Sequence, residues 1–190
     1  MSSPLHNLTW PVRTEHLLIR PATAADAPSA WAYRRLEEVA RWMTTLHADE
    51  EGFTASFTEP SRLAKTLMIE RDGQVIGDLM LAPEDAWAQT EVAADAKEVQ
   101  AELGWSMDPA HQGHGYATEA VTALIRICFE GLGLRRVVAL CFAENAPSWR
   151  LMERVGMRRE SHNVGDSLHR TGGWMDGYGY ALLAEEWRAR

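Results

Sequence analysis

Cysteine, basic residues and long apolar runs are scarce in this sequence. Only two of its 190 residues are cysteine. Cys128 and Cys141 both lie in apolar runs, where a small buried hydrophobe is the expected role and a reactive thiol is the alternative. No apolar run approaches the roughly 20 residues that a membrane span needs. Residues 1–11 lack a basic region followed by an apolar stretch, so we expect no signal peptide and a cytoplasmic location.

The charge balance narrows the classes of partner. The chain has 27 acidic residues against 19 Lys and Arg, a net charge of −8. Because neutralising the phosphates of a nucleic acid needs clustered Lys and Arg, this balance argues against a nucleic-acid partner. Surplus acid favours a cationic partner such as an amine, a polyamine or a basic peptide terminus, although it also keeps soluble proteins dispersed. No His/Cys/Asp spacing indicates a metal site.

Length and composition predict one domain. The chain has 190 residues, of which 46% are hydrophobic. A chain of this size buries about 70% of its surface around a single core. No repeat or low-complexity linker divides the sequence. We therefore predict a single domain over residues 1–190.

Turn signals and hydrophobic periodicity predict the elements of the first half. Asp72-Gly73 separates strand-like runs at 63–71 and 74–81, which indicates a β-hairpin. Before this hairpin we predict a strand at 17–20 and a helix over 30–40. After it we predict an acidic insertion at 82–100, which is either exposed on the surface or overhangs a site, and a strand at 102–107.

The second half continues with helices and strands in alternation. A stripe of apolar residues predicts a long helix over 115–130, and a β-branched run predicts a buried strand at 136–142. Pro147 opens and Gly156 ends a further helix, and two last strands are predicted at 159–163 and 177–183. The fold class is therefore α/β (α+β), with a mixed, mostly antiparallel central sheet flanked by helices and a parallel pair only across the long helix.

A loop with two glycines, Gln112-Gly113-His114-Gly115-Tyr116-Ala117, joins the strand that ends at Met107 to the long helix. Its glycines let backbone N–H groups turn inward, and the helix dipole adds about half a positive charge, so the loop can hold a pyrophosphate. A glycine turn that only admits the helix is the alternative. The third glycine of a dinucleotide-binding loop and the Gly-Lys-Ser/Thr of a Walker loop are both absent.

The residues around this loop resemble a known family. The run 101–109 followed by Gln112-x-x-Gly115-x-Ala117 resembles the Q/R-x-x-G-x-G/A acetyl-CoA signature of the GNAT superfamily. Asn145-x-x-Ser148, the run 153–157 and the closing run 174–187 resemble the branch that contains the ribosomal-protein N-terminal alanine acetyltransferases. The resemblance covers residues 13–188.

This resemblance implies acetyl-CoA as the co-substrate, without a metal. It implies that the loop amides bind the pyrophosphate and that the pantetheine arm pairs with the backbone of the strand before the loop. The residues assigned to the coenzyme are Trp105, Ser106, Met107, Gln112, Gly113, His114, Gly115, Tyr116, Ala117, Thr118 and Asn145. For Trp105 a place in the core or pocket wall, and for Asn145 a helix N-cap, are the alternative roles.

Acetyl transfer to an amine needs two proton-handling groups, because the amine must lose a proton and the leaving thiolate should gain one. Glu102 is the candidate base, since burial on an apolar central strand raises the pKa of a carboxyl. The alternatives are a carboxylate at the edge of the sheet paired with an arginine, and deprotonation through water. Many relatives carry a tyrosine where this sequence has Met152. The resemblance instead assigns Ser148 to the thiol or thiolate, with helix capping as its alternative.

The final hairpin and the loop contain other candidate groups. His162 and His169 lie in the hairpin, which lines the acceptor site in relatives, and Ser167 stands where that branch carries a glutamate. His111 precedes the loop and could touch phosphate or adenine. Cys141 stands where some relatives carry a cysteine near the coenzyme thiol.

The expected function is transfer of an acetyl group to a primary amine, on a peptide N-terminus or on a small molecule. The alternatives are a CoA-binding sensor without turnover and an acyltransferase that uses a longer acyl-CoA. Relatives often form dimers, and the eight tryptophans could supply an apolar interface, so a homodimer is a further expectation.

Overall fold

The computed structural model describes Leu5 and residues 8–190. Its strands are β1 (Val12–Arg13), β2 (Leu18–Pro21), β3 (Thr66–Arg71), β4 (Gln74–Glu84), β5 (Gln100–Met107), β6 (Arg136–Phe142), β7 (Arg158–His169) and β8 (Gly173–Leu183). Its α-helices are α1 (Ala27–Arg34), α2 (Glu37–Ala40), α3 (Glu50–Phe57), α4 (Pro60–Leu63), α5 (Tyr116–Arg126), α6 (Ala146–Arg154) and α7 (Ala184–Arg188).

The strands form a mixed, mostly antiparallel sheet in the order β1-β2-β3-β4-β5-β6-β8-β7. Strands β1 to β4 pair antiparallel in sequence order, and β8 pairs antiparallel with both β6 and β7. Strands β5 and β6 run parallel, with Glu102 opposite Val138. This arrangement confirms the predicted fold class and the position of the parallel pair.

Contacts group the chain into two compact units. The first contains Leu5 and residues 8–81 together with 105–124, and the second contains 82–104 and 125–190. Strands β4 and β5 each have residues in both units. The single-domain organisation stays a prediction.

The hairpin between β3 and β4 forms as predicted. Asp72 and Gly73 both have positive φ angles, of 50° and 78°, which a tight two-residue turn between twisted strands requires. Arg71 is opposite Gln74 in the register of the two strands. The dipeptide signal was sufficient because both turn residues tolerate the left-handed region.

The prediction of one continuous helix over 30–40 is wrong, because the structure has two helices there. Leu36 has an extended ψ of 134°, which ends the first helix and starts α2 at Glu37. The sequence prediction also missed α3, although Asp49 caps it by accepting a hydrogen bond of 2.8 Å from the Gly52 N–H. In the core of the first unit, Ala27, Ala30 and Tyr33 of α1 pack with Phe53, Phe57 and Met68.

In the second unit, the predicted strand 136–142 and the helix after Asn145 form, and Gly156 follows that helix with φ 85°. The long helix departs from prediction at its end, because Ile127–Gly131 is a π-helical turn in which the Leu132 N–H bonds to the Ile127 carbonyl at 2.9 Å. The acidic insertion contains a short 3-10 helix, Thr90–Ala96, whose residues are mostly exposed. The last two strands are longer than predicted.

Candidate active site

In the first unit, the glycine loop leads directly into α5. Gly113 and Gly115 have φ angles of 79° and 83°, and residues 112–115 are exposed. These angles favour glycine, and at Gly115 an added Cβ would have no heavy atom within 4 Å. The first N–H groups of a helix lack carbonyl partners within it, so an accessible loop at this end suits an anionic ligand.

Two charged side chains flank the start of α5. Glu119 accepts hydrogen bonds from the His16 backbone N–H at 2.8 Å and pairs with the His16 ring at 3.0 Å. Burial raises the pKa of Glu119, but hydrogen bonds from Thr14 and His16 outweigh it and hold that pKa below its usual value. The guanidinium carbon of Arg71 lies 4.8 Å from the centre of the Tyr116 ring. Arg71 is therefore a candidate phosphate contact that no sequence motif indicated.

The strand before the loop exposes its residues unequally. Ser106 is buried, whereas Trp105 and Met107 are half-buried. The Ser106 hydroxyl is 3.4 Å from the sulfur of Met43. Gly77 faces the same segment so closely that an added Cβ would lie 2.5 Å from the Ser106 carbonyl oxygen.

In the second unit, the residues proposed to approach the thioester lie at the start of α6. The Asn145 side chain makes no capping hydrogen bond, so the alternative role as a side-chain cap is not the one adopted. Its backbone carbonyl instead accepts a hydrogen bond of 3.0 Å from the Ser148 N–H. The start of α6 thus holds Ser148 in place through its backbone N–H.

Ser148 contacts the sulfur of Cys141. Burial raises the pKa of the Cys141 thiol to about 11, and a hydrogen bond with the Ser148 side chain lowers it in part. Cys128 is fully buried, and burial raises the pKa of its thiol further. The Ser148 side chain thus favours the thiolate form of the neighbouring Cys141.

Met152 is fully buried, which is consistent with a packing role at the position where many relatives carry a tyrosine. Strand β8 contributes two other tyrosines. Tyr180 donates a hydrogen bond of 2.9 Å to Glu153, and burial raises its pKa to about 12. Tyr178 lies opposite both Cys141 and His162 in the sheet register. Sequence reasoning missed Tyr178, because only strand register places it in this row.

The histidines of the final hairpin differ in environment. His162 pairs with Asp176 at 2.6 Å and is half exposed. His169 is buried, with its ring against Phe142 and its Nδ1 accepting a hydrogen bond of 3.0 Å from the Gly172 N–H, so it has a structural role in the turn. Ser167 bonds to Asp166 at 2.8 Å.

Two other residues that the sequence singled out, Glu102 and His111, are half-buried. Glu102 is half-buried on β5, a strand between β4 and β6, so the alternative of an edge position is not the one adopted. His111 is half-buried in the short 3-10 helix Pro109–His111 that precedes the loop.

Leu5 and residues 8–190 contain neither a metal-binding cluster nor a membrane-spanning helix. No group of three or more His, Cys, Asp or Glu side chains is arranged to hold a metal ion there. No helix within those residues has the length and apolar character to cross a bilayer.

Comparison with known proteins defines the class. The family model described as the acetyltransferase (GNAT) domain matches residues 16–158. The chain is 42% identical to the uncharacterised N-acetyltransferase YnaD of Bacillus subtilis over 86 residues, which is 45% of this chain and 50% of YnaD. The chain thus spans half the length of this relative.

Two solved structures show the same fold. A GNAT-family acetyltransferase from Bacillus anthracis has a TM-score of 0.77 and 29% identity, and the match covers 92% of this chain and 99% of the other. The ribosomal-protein-S5-alanine acetyltransferase from Vibrio fischeri has a TM-score of 0.75 and 18% identity, with coverage of 94% and 99%. The chain therefore belongs to the GNAT acetyltransferase family. Proteins of the GNAT family use acetyl-CoA.

Proposed function

We propose that this enzyme transfers the acetyl group of acetyl-CoA to a primary amine, on a peptide N-terminus or on a small molecule, by direct attack within a ternary complex. The observation that carries the proposal is the exposed loop 112–115, where two glycines with positive φ lead into α5. A pyrophosphate is the anionic group that acetyl-CoA offers to such a helix start.

The coenzyme is assigned to specific segments of the chain. Residues 113–118 bind the pyrophosphate, and the backbone of 105–107 pairs with the pantetheine arm. Asn145 reaches the pantetheine through its side chain, an assignment supported by the absence of a capping hydrogen bond from that side chain. Arg71 adds a positive charge beside Tyr116.

The chemistry forms a bond between the amine nitrogen and the acetyl carbonyl carbon, and it breaks the bond between that carbon and the sulfur. Glu102 takes the proton that the ammonium group must lose, directly or through water. Ser148 donates a hydrogen bond to the leaving thiolate. Its hydrogen bond with the Cys141 thiol supports this role, because that bond lowers the pKa of the thiol and so favours the thiolate form.

The test is release of free thiol from acetyl-CoA, at near-neutral and mildly basic pH, in the presence of candidate amines. The panel contains N-terminal peptides, polyamines, aminoglycosides and amino acids, and peptides that begin with alanine are included because of the likeness to the Vibrio fischeri enzyme. Succinyl-CoA and longer acyl-CoA donors are compared with acetyl-CoA. Amine-dependent thiol release with acetyl-CoA is the expected result.

Two other outcomes would contradict the proposal. CoA binding without thiol release on any amine would contradict turnover and favour the sensor alternative. Faster release from a longer donor would replace acetyl transfer with acyl transfer.

A further inference from the structure

A cavity opens inside the first unit beside α1. Its lining includes the aromatic and basic side chains of Trp31, Arg34, Arg35, His47, Phe53 and Arg62. The cavity is formed by α1, the segment before α3, and helices α3 and α4. None of the described residues that line it is acidic. It is distinct from the glycine loop, whose residues are absent from its lining.

The charge of this cavity is opposite to that of the protein. The chain has a net charge of −8 and only 19 Lys and Arg residues, yet three arginines line this one cavity. A cleft lined by charges of one sign concentrates the electrostatic field and attracts ligands of the other sign. The cavity therefore favours an anionic group although the whole protein is acidic.

One of the three arginines is fixed by a buried carboxylate. Arg34 Nε donates to Asp78 Oδ2 at 2.9 Å, and a second guanidinium nitrogen contacts Asp78 Oδ1. The Tyr33 hydroxyl donates to the same carboxylate at 2.5 Å. A guanidinium has five N–H groups, so these two bonds leave donors of Arg34 for other acceptors while holding its plane in place.

The other two arginines keep their charge uncompensated. Neither Arg35 nor Arg62 forms an ion pair with an acidic side chain within the part of the chain that the structure describes. Arg62 is half-buried and Arg35 is exposed. Because Asp78 compensates Arg34, the cavity has a net charge of two positive units from these two side chains. Two guanidinium groups match the oxygen atoms of a carboxylate, which they can bind in a bidentate manner.

Aromatic rings form another part of the cavity wall. The Trp31 and Phe53 ring centres are 5.4 Å apart, and the His47 ring meets Phe53 edge-on at 5.5 Å. These rings exclude water from one side, which strengthens the interaction of the arginines with an anion.

The cavity also adjoins the strand assigned to the coenzyme. Met43 lines the cavity, and its sulfur lies 3.4 Å from the hydroxyl of Ser106 on β5. A ligand held in the cavity is therefore separated by the Met43 side chain from the segment 105–107, to which we assign the pantetheine arm.

We propose that this cavity binds a carboxylate carried by the acceptor amine, through Arg35 and Arg62 with Arg34 as the fixed third donor. The inference rests on the proposed acetyl transfer, and it defines the substrate class as amines with an anionic group. The carboxylate can belong to a free amino acid or to an acidic residue that follows a peptide N-terminus.

The experiment compares acceptors that differ only in a carboxylate or a carboxamide. The pairs are L-aspartate with L-asparagine, L-glutamate with L-glutamine, and alanine-initiated peptides with Asp or Asn in the second position. For each pair, kcat/KM is measured with acetyl-CoA, and binding without coenzyme is measured by calorimetry. The amino acid and peptide arms separate the two sources of the carboxylate.

The variants are Arg35→Gln/Arg62→Gln, Arg62→Lys and the control Arg13→Gln, which removes an exposed arginine of β1 outside the cavity lining. In at least one arm we expect the wild type to prefer the carboxylate by about tenfold or more, the value of a charged hydrogen bond. The double variant should lose this preference and Arg13→Gln should keep it. Arg62→Lys should keep only part of it, because lysine lacks the planar fork of donors.

Turnover and binding separate failure of this inference from failure of the proposed function. Turnover without preference for any carboxylate overturns the inference and leaves acetyl transfer intact. If the wild type binds the carboxylate acceptors, the double variant does not, and neither acetylates them, the result supports carboxylate binding in the cavity. The same result contradicts acetyl transfer to these amines. Absence of both overturns the inference. A fall in CoA affinity in the double variant would assign the arginines to the coenzyme and also overturn it.

Discussion

The carboxylate of Asp78 on β4 holds the guanidinium of Arg34 on α1, with Arg34 Nε 2.9 Å from Asp78 Oδ2. Asp78 is 1% exposed. Tyr33, the residue before Arg34, donates to the same carboxylate, and burial raises the pKa of Tyr33 well above its usual value. The phenol therefore stays protonated and remains a donor.

This relationship predicts a large loss of stability in Asp78→Asn. The substitution leaves the Arg34 charge buried without a counter-charge, which costs about 3–5 kcal/mol. Urea unfolding followed by fluorescence measures the free energy. Asp72→Asn is the control, because the Asp72 side chain is 87% exposed and asparagine tolerates its positive φ. Equal stability of the two variants would contradict a structural role for the buried pair.

The loop assignment predicts that Gly115→Glu strongly weakens CoA binding. The new side chain places a negative charge where the pyrophosphate binds, and such like-charge contact costs several kcal/mol, or roughly 100-fold in affinity. Gly133→Glu is a matched control, since Gly133 also has a positive φ, of 67°, and open space at its Cβ. Both substitutions place a glutamate at a position with a positive φ. Calorimetry with CoA should therefore separate them, and unchanged affinity in Gly115→Glu would refute the loop assignment.

The proposed catalytic roles predict a separation of binding from turnover. Ser148→Ala and Glu102→Gln should keep CoA affinity and lower kcat by about 100-fold each, the usual contribution of a positioned proton donor or acceptor. Ser61→Ala and Glu91→Gln, at exposed positions, serve as controls. Steady-state kinetics and calorimetry test this. Full turnover in both site variants would refute the roles of Ser148 and Glu102 without changing the family.

The contact of Ser148 with Cys141 predicts a pH-dependent difference in thiol alkylation. Because the pKa of Cys141 is raised to about 11, its thiolate forms only in alkaline solution. Ser148→Ala removes a hydrogen bond that lowers this pKa, so the alkylation profile should move to higher pH. Mass spectrometry of iodoacetamide-treated protein, made in a Cys128→Ala background, measures the profile. A profile that does not move would show that the serine hydroxyl has no influence on sulfur.

Local signals predicted the elements whose structure is set by a few neighbouring residues. Asp72-Gly73 determines the β3–β4 turn through its dihedral angles, and Gly156 ends α6 in the same way. The break at Leu36 was not predictable, because the apolar spacing continues through it and only the extended ψ of that residue separates the two helices.

The same distinction applies to the candidate site. The glycine loop is contiguous in sequence, so its motif was visible. Tyr178 becomes a neighbour of Cys141 only through strand register, and Arg71 approaches Tyr116 only through folding. The arginine-lined cavity combines residues from 31 to 62 without regular spacing, so tertiary packing alone reveals it.

The close approach of Gly77 to Ser106 links a residue outside the proposed coenzyme site to the shape of that site. A methyl group at position 77 would lie 2.5 Å from the Ser106 carbonyl oxygen, so even alanine would have to displace that backbone. The spacing between these two strand segments is thus set by a missing side chain. A substitution at position 77 would therefore change the affinity for the pantetheine arm without replacing any residue assigned to contact the coenzyme.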